Sequence, residues 1–306
     1  MLSTWSATCR LRVLRELRDR GTIAATAGVL HLTPFAVSQQ LATLSREVGV
    51  RLLVRQGRGV RLTPEAGLLL EHAAVLQARL ERARAELTDL AAGELGHLRI
   101  GAFGSAIVNL VAPSLRRLHE ERPRLTVSVR ESDPPNCFTL LDASNLDLVI
   151  TVDYRGGPTR VDVRYHRIDL LSDPYDVAMP IRHRRAGAEK IELSDLATEP
   201  WILGAESGPC GEIAFAACNA AGFNPDIRHR VNDWNAVLAL VAGTGGVALI
   251  PRLAATNVPD GVILCEVART APARRIYAAV RAGAEHGVSI ASMLTCLRDT
   301  AAQKII

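Results

Sequence analysis

Residues 22–63 read TIAATAGVLHLTPFAVSQQLATLSREVGVRLLVRQGRGVRLT, and this stretch decides the fold of the head of the chain. Thr22 can cap a helix running to Leu30, in which Ala24, Ala27 and Gly28 are small enough for close packing. His31-Leu32-Thr33 is a tight break. Thr33 then caps the next helix, with Pro34 at its first position, where a missing N–H costs nothing. Val37, Leu41 and Leu44 fall at i, i+4 and i+7 and must face a core. The opposite side presents Phe35, Ser38, Gln39, Gln40 and Thr43, with no lysine or carboxylate before Arg46 and Glu47. A merely solvated face would carry more charge. Short polar side chains suit a major groove instead: glutamine pairs bidentately with adenine, Gln40 being the expected reader, and serine or threonine reach bases or phosphates.

Outward from this stretch, Arg10 to Arg20 reads as a preceding helix with Leu11, Leu14 and Leu17 on one face. After Gly49, the runs 51–54 and 60–62 flank Gln56-Gly57-Arg58-Gly59, a hairpin whose Arg55, Arg58 and Arg61 would point at phosphates or a minor groove. That is a wing. Residues 1–63 hold ten arginines against Glu16, Asp19 and Glu47, a net of +7 in a chain of net +4, so the remainder is −3. A basic head on a mildly acidic body is the electrostatic footprint of a nucleic-acid binder.

The small-residue second helix, the A-V-S-Q-Q core of the third, the L-x-x-x-x-G-V-R-L exit and the arginine-glycine wing resemble the DNA-binding domain of LysR-type transcriptional regulators. The sequence departs from that pattern at Thr26 (often Ala), at Pro34-Phe35 (often Gln-Pro) and at Gln39 (often Arg). The last two lie on the reading face, so the resemblance does not fix which bases are read.

Thr63-Pro64-Glu65 starts another helix: a cap, a first-turn proline and an acid near the positive end of the dipole. No breaker follows before Ala92. Leu69, Ala73, Leu76, Leu80, Ala83, Leu87 and Leu90 alternate by four and three, the narrow seam of a two-chain coiled coil rather than a broad face for the chain's own body. The resemblance implies dimerisation through this helix too, although the start is one residue longer than the family's T-x-A-G.

Beyond the hinge at Gly93 to Gly96, the run 97–101 opens a strand. A helix from about Ile107 to Glu120, a strand Leu125–Glu131, a polar link and a strand 147–152 follow. Strand, helix, strand in short units points to a doubly wound α/β lobe. The pattern recurs over 175–251 and closes with strands at 262–267 and 275–280 and a helix near 288–301. We therefore expect a winged helix-turn-helix over 1–63, a linker helix over 64–92, one α/β lobe from 97–167 and 266–306, and a second from 168–265. The double crossing resembles the type 2 periplasmic-binding-protein fold of LysR-type regulatory domains. The stretch VNDWNAVLALVAGTGGVALIPR matches that family closely.

Ligands of open α/β sheets sit at the carboxyl ends of strands, between lobes. Ser105, Ser132, Asp133, Asp153, Glu206, Ser207 and Trp234 meet that description. The resemblance implies an effector carboxylate at Ser105 and Ser132, whereas the acids leave room for a cationic or zwitterionic ligand. Each of these residues could instead be a helix cap or turn residue with no ligand. The expected partners are double-stranded DNA, a second copy (a homodimer, or a tetramer built from it), a small polar metabolite and RNA polymerase, with no cofactor or metal.

Composition narrows the alternatives. No apolar run is long enough to cross a bilayer, and the start is arginine-studded rather than signal-like, so a cytoplasmic protein is expected. The six cysteines form no CxxC pair and no zinc spacing, which favours reduced, packed thiols. No nucleophile elbow, Walker loop or G-x-G-x-x-G follows a strand. Two rivals stay open: an enzyme or small-molecule-binding protein with an accessory DNA-binding head, and redox sensing. Cys210 and Cys218 resemble in placement the disulfide pair of the family's peroxide sensors, one residue closer. On one helix, eight residues rise roughly 12 Å, whereas a disulfide needs Cα atoms within about 7 Å.

Overall fold

The computed structural model describes residues 4–57, 59–92, 96–205, 208–269 and 271–304. The chain forms two compact units, Met1–Glu81 and Arg82–Ile306.

The first unit packs α1 (Thr4–Arg20), α2 (Ile23–Leu30) and α3 (Pro34–Val48) on a hairpin of β1 (Leu53–Gln56) and β2 (Gly59–Leu62). The caps form as the side chains dictate: Thr22 Oγ1 accepts from Ala25 N–H at 3.2 Å, and Thr33 Oγ1 from Ala36 N–H at 3.1 Å. The break between α2 and α3 turns on His31, whose φ of 53° lies in the left-handed region. Val13, Leu14, Leu17, Val37, Leu41, Leu44 and Leu52 make one core. The sequence places the first helix at Arg10, but α1 begins at Thr4, where polar residues gave no apolar period to follow.

Helix α4 (Pro64–Ala92) follows and runs from the first unit into the second. Thr63 Oγ1 accepts from Ala66 N–H at 3.2 Å and donates to the Arg51 carbonyl at 2.9 Å, so one hydroxyl caps α4 and ties it to the wing.

In the second unit, β3 (His97–Ala102) leads through α5 (Gly104–Ala106), a π-turn (Ile107–Val111) and α6 (Ala112–Glu121) to β4 (Thr126–Glu131). Helix α7 (Asn136–Asp142), β5 (Leu148–Val152), β6 (Tyr165–Pro180), β7 (Lys190–Ile191) and β8 (Pro200–Leu203) come next. The chain closes with α8 (Pro209–Ala220), β9 (Asp226–Arg230), α9 (Trp234–Thr244), β10 (Ala248–Pro251), β11 (Val262–Val267), β12 (Ala273–Arg281) and α10 (Val288–Ala302).

Strands β4-β3-β5-β12-β6-β11-β7 lie in that order, with β10 also on β6 and β8-β9 forming a separate parallel pair. Residues 165–174 of β6 pair with β12, and residues 175–180 pair with β10 and β11. One 16-residue strand thus serves two subdomains, and the second crossing runs from β11 into β12. Their cores are separate: Leu98, Ile100, Leu110, Leu148, Ile150 and Leu297 in the first, Tyr175, Val177, Trp201, Leu203 and Leu249 in the second.

Two features depart from the sequence expectation. The strand expected to start at Tyr175 starts at Tyr165, so the change of subdomain falls at Pro174 and Tyr175 rather than at 167–168. Asp169, Asp173 and Pro174 break the apolar pattern there: Asp169 and Asp173 form ion pairs, while Ile168, Leu170 and Leu171 between them pack on the first core. The expected polar link contains α7, whose Cys137, Phe138 and Leu141 are buried.

Candidate DNA-reading face and interlobe cleft

On α3 the core stripe is Val37, Leu41, Leu44, and the exposed stripe opposite is Phe35, Gln39, Ala42, Arg46, again at helical spacing. Thr33 and Pro34 are exposed at the start of the helix. Ser38 is exposed but donates its hydroxyl to the Pro34 carbonyl at 2.9 Å, and Thr43 accepts from Arg46 Nη2 at 3.0 Å. Gln40 corrects the expectation. It flanks the core stripe three residues after Val37, and its Oε1 is buried with no hydrogen-bond partner. A bidentate pair with adenine needs both amide atoms, so the outward glutamine is Gln39.

Charge divides within this unit in a way the sequence totals hide. The three carboxylates of the head pair with arginines of α1: Arg10 with Glu47 at 3.0 Å, Arg18 with Asp19 at 3.1 Å, Arg20 with Glu16 at 3.6 Å. Arg55 and Arg61, exposed on the two wing strands, meet none of these carboxylates. The wing therefore carries positive charge that these carboxylates do not offset, as do Arg12 and Arg15 on α1 and Arg46 on α3. Arg58 lies outside the described residues.

In the second unit a cavity of about 600 Å³ opens between the subdomains. Ser105, Asp133 and Trp234, expected from the sequence, line it. Ser132 does not. Extended backbone alternates its side chains, so Glu131 and Asp133 face the cavity while Ser132 is buried and accepts from Asn136 Nδ2 at 3.3 Å. Asp153 is also elsewhere, held by Arg167 Nη1 at 2.6 Å. Glu206 and Ser207 lie outside the described residues, although their neighbours Ala205 and Gly208 line the cavity. A side chain at Gly211 would run into the Ala205 carbonyl, which is why α8 approaches this loop through glycine.

The floor of the cavity is a group that sequence reasoning missed. Arg274, 2 % exposed, donates from Nε to Asp173 at 2.8 Å and from Nη2 to Ser105 Oγ at 2.9 Å. Its Nη1 lies 3.7 Å from Cys210 Sγ, and its guanidinium stands over the Phe103 ring at 4.9 Å. Asp173, fully buried, also accepts from Leu253 N–H at 2.9 Å. Burial pushes the Asp173 carboxyl above the usual range, and the guanidinium opposes that. Asn109, on the π-turn, donates to the Ser105 and Leu253 carbonyls at 3.2 and 2.7 Å. One ion pair thus ties α5 of the first subdomain to α8 and residue 253 of the second. Asp133 feels the same desolvation: the cavity walls raise its carboxyl, opposed by the Arg274 charge.

Two family models account for the chain. One, described as the LysR substrate binding domain, matches residues 91–302, and one described as the bacterial regulatory helix-turn-helix protein of the lysR family matches residues 9–67. The chain belongs to the LysR family of DNA-binding transcriptional regulators. Among curated LysR-type relatives, the HTH-type transcriptional regulator AlsR of Bacillus subtilis (strain 168) is 30 % identical over 227 residues, 74 % of each chain. ClcR of Pseudomonas putida is 29 % identical over 250 residues, covering 80 % of this chain and 83 % of that protein. The fold matches full-length CbnR solved with its target DNA, with a TM-score of 0.56 at 21 % identity over 96 % of this chain and 99 % of that one. A full-length OxyR from Pseudomonas aeruginosa gives 0.60 at 21 % identity, covering 95 % and 94 %.

For a LysR-family chain the linker seam is informative. Leu76, Leu80 and Leu87 are 65 %, 68 % and 66 % exposed, and Leu69 is half-buried. The Leu90 side chain lies outside the described residues. Among the described residues no helix is long and apolar enough to cross a membrane, and no group of three or more His, Cys, Asp or Glu is placed to hold a metal ion.

Proposed function

We propose that this LysR-family regulator binds a palindromic operator as a homodimer through α4 and is switched by a small polar metabolite held between the two regulatory subdomains. The observation that carries the switch is the cavity floor, where Ser105 and Cys210 reach one buried guanidinium from opposite subdomains. A ligand that engages Ser105 or displaces it from Arg274 changes how the two subdomains are held. It shifts the balance between arrangements only by the difference in its affinity for them. The exposed leucine seam supports pairing through α4, because three leucines on one helix face would otherwise stay in water. Placed at a promoter, such a dimer, or a tetramer of two, acts on RNA polymerase.

The two-cysteine alternative lacks geometric support. Cys210 and Cys218 are free thiols on the single helix α8, and Cys218 is buried with its thiol pushed up to about 12 by desolvation. Nor do the relatives favour an enzyme, since they are named transcriptional regulators. The acids at the cavity wall, Glu131 and Asp133, leave space for a ligand with a cationic group.

Reading and gripping separate by mutation. Gln39→Ala should reduce discrimination between operator and random DNA by about 1–3 kcal/mol, the worth of one bidentate pair. Gln40→Ala should leave it intact. Arg61→Ala should weaken both DNAs alike and lower the salt slope by about one ion. Fluorescence-anisotropy titrations of full-length protein over a salt series check all three. Loss of discrimination in Gln40→Ala but not Gln39→Ala would reverse the assigned face of α3.

A further inference from the structure

We infer that the interlobe cavity takes an organic dication, a diamine or an amine joined to a guanidinium, gripped by carboxylates of both subdomains. Three carboxylates line it: Glu131 and Asp133 at the end of β4 in the first subdomain, and Asp233 at the start of α9 in the second. All three are exposed at the cavity wall, and none has an ion-pair partner among the described residues. Asp233 accepts from Ala236 N–H through Oδ1 at 2.8 Å, which leaves its other oxygen for a ligand. Arg274 is the only cation among the described lining residues, and Asp173 cancels its charge at 2.8 Å. Its donors are already directed at Asp173, Ser105 and Cys210. A carboxylate ligand would therefore meet three like charges and no uncommitted cation.

A cleft lined by one sign of charge concentrates the opposite ion. Burial pushes the Asp133 carboxyl up, an effect that a cation alongside would reverse. Spacing decides between a metal ion and a longer ligand. Among the described residues no three acids, histidines or cysteines stand close enough to hold a metal ion, so the carboxylates are spread over the walls instead of converging. Separated acids on walls of different subdomains fit separated positive charges on one chain of methylenes. Half-buried Trp234, beside Asp233, adds an aromatic ring that attracts a cation. This choice of ligand rests on the cavity being the effector site. It also supplies a reason to switch: like charges on the two walls repel, and a dication that pairs with both favours the closed arrangement over the open one.

Calorimetric titration of the full-length protein tests it, with putrescine, cadaverine and agmatine as probes. Butylamine (one charge), succinate (opposite charge) and magnesium chloride are the counterparts. At least one dication should bind, with butylamine roughly tenfold or more weaker and succinate and magnesium not at all. Asp133→Asn and Asp233→Asn should each weaken the dication roughly 10–100-fold, the range of a hydrogen bond to a charged group. Asparagine caps a helix as aspartate does, so α9 keeps its start. Asp260→Asn, an exposed acid outside the cavity, should change nothing. Dication binding untouched by both cavity substitutions would overturn the inference. So would binding of succinate and no dication, lost in Ser105→Ala, although the cavity would then stand as the effector site. Binding of no probe of either charge would overturn the inference and that reading together.

Discussion

Arg274→Ala is expected to destabilise the regulatory unit by about 3–5 kcal/mol, the cost of leaving one member of a buried ion pair uncompensated. Asp173 is fully buried, and its only described cationic partner is Arg274. Truncation would strand its carboxylate and remove the donor to Ser105. Urea unfolding of the full chain, followed by tryptophan fluorescence, reads this, because Trp201 and Trp234 both lie in that unit. The double variant Asp173→Asn with Arg274→Met should recover most of the loss, since an apolar replacement of both partners is often neutral. Loss in the double variant as large as in Arg274→Ala would mean that packing over Phe103, not charge, holds the crossing.

The second large effect concerns α4. Leu76→Asp with Leu87→Asp should convert the dimer to monomer and cost operator affinity on the order of 10²–10⁴-fold, the range by which a second linked head raises binding. Both leucines are about two-thirds exposed in the single chain, so the variant disturbs neither unit's core. Light scattering gives the mass and anisotropy the affinity. An unchanged mass would place the subunit contact elsewhere.

Legibility in the sequence followed the physics of each element. The caps Thr22 and Thr33 and the core stripe of α3 are local, periodic signals, and they stand in the structure where the residues put them. The inward turn of Gln40 follows from the core stripe itself, since Gln40 stands three residues after Val37 and four before Leu44, whereas Gln39 lies opposite that stripe. Ser132 failed for a similar reason: strand alternation aims its neighbours, not itself, at the cavity. Arg274 and Asp173 stand 101 residues apart, and each lies just before a strand as the sequence bounds it, at 275 and 175. Only the double crossing of the chain brings them together.

The coupling between cleft and operator is the centre of this account, and one measurement addresses it. Amino acids, organic acids and purines are screened by thermal shift, since a ligand of the native state raises its Tm. Operator affinity and footprint are then measured with and without the compound that raises Tm most, in wild type and in Ser105→Ala. The account predicts a change in operator affinity of about 5–150-fold in wild type, the usual range of allosteric coupling. In Ser105→Ala, ligand binding should weaken, and the ligand-induced change in operator affinity should shrink with it. A compound that binds wild type and Ser105→Ala equally, and leaves the operator footprint unaltered in both, would contradict it.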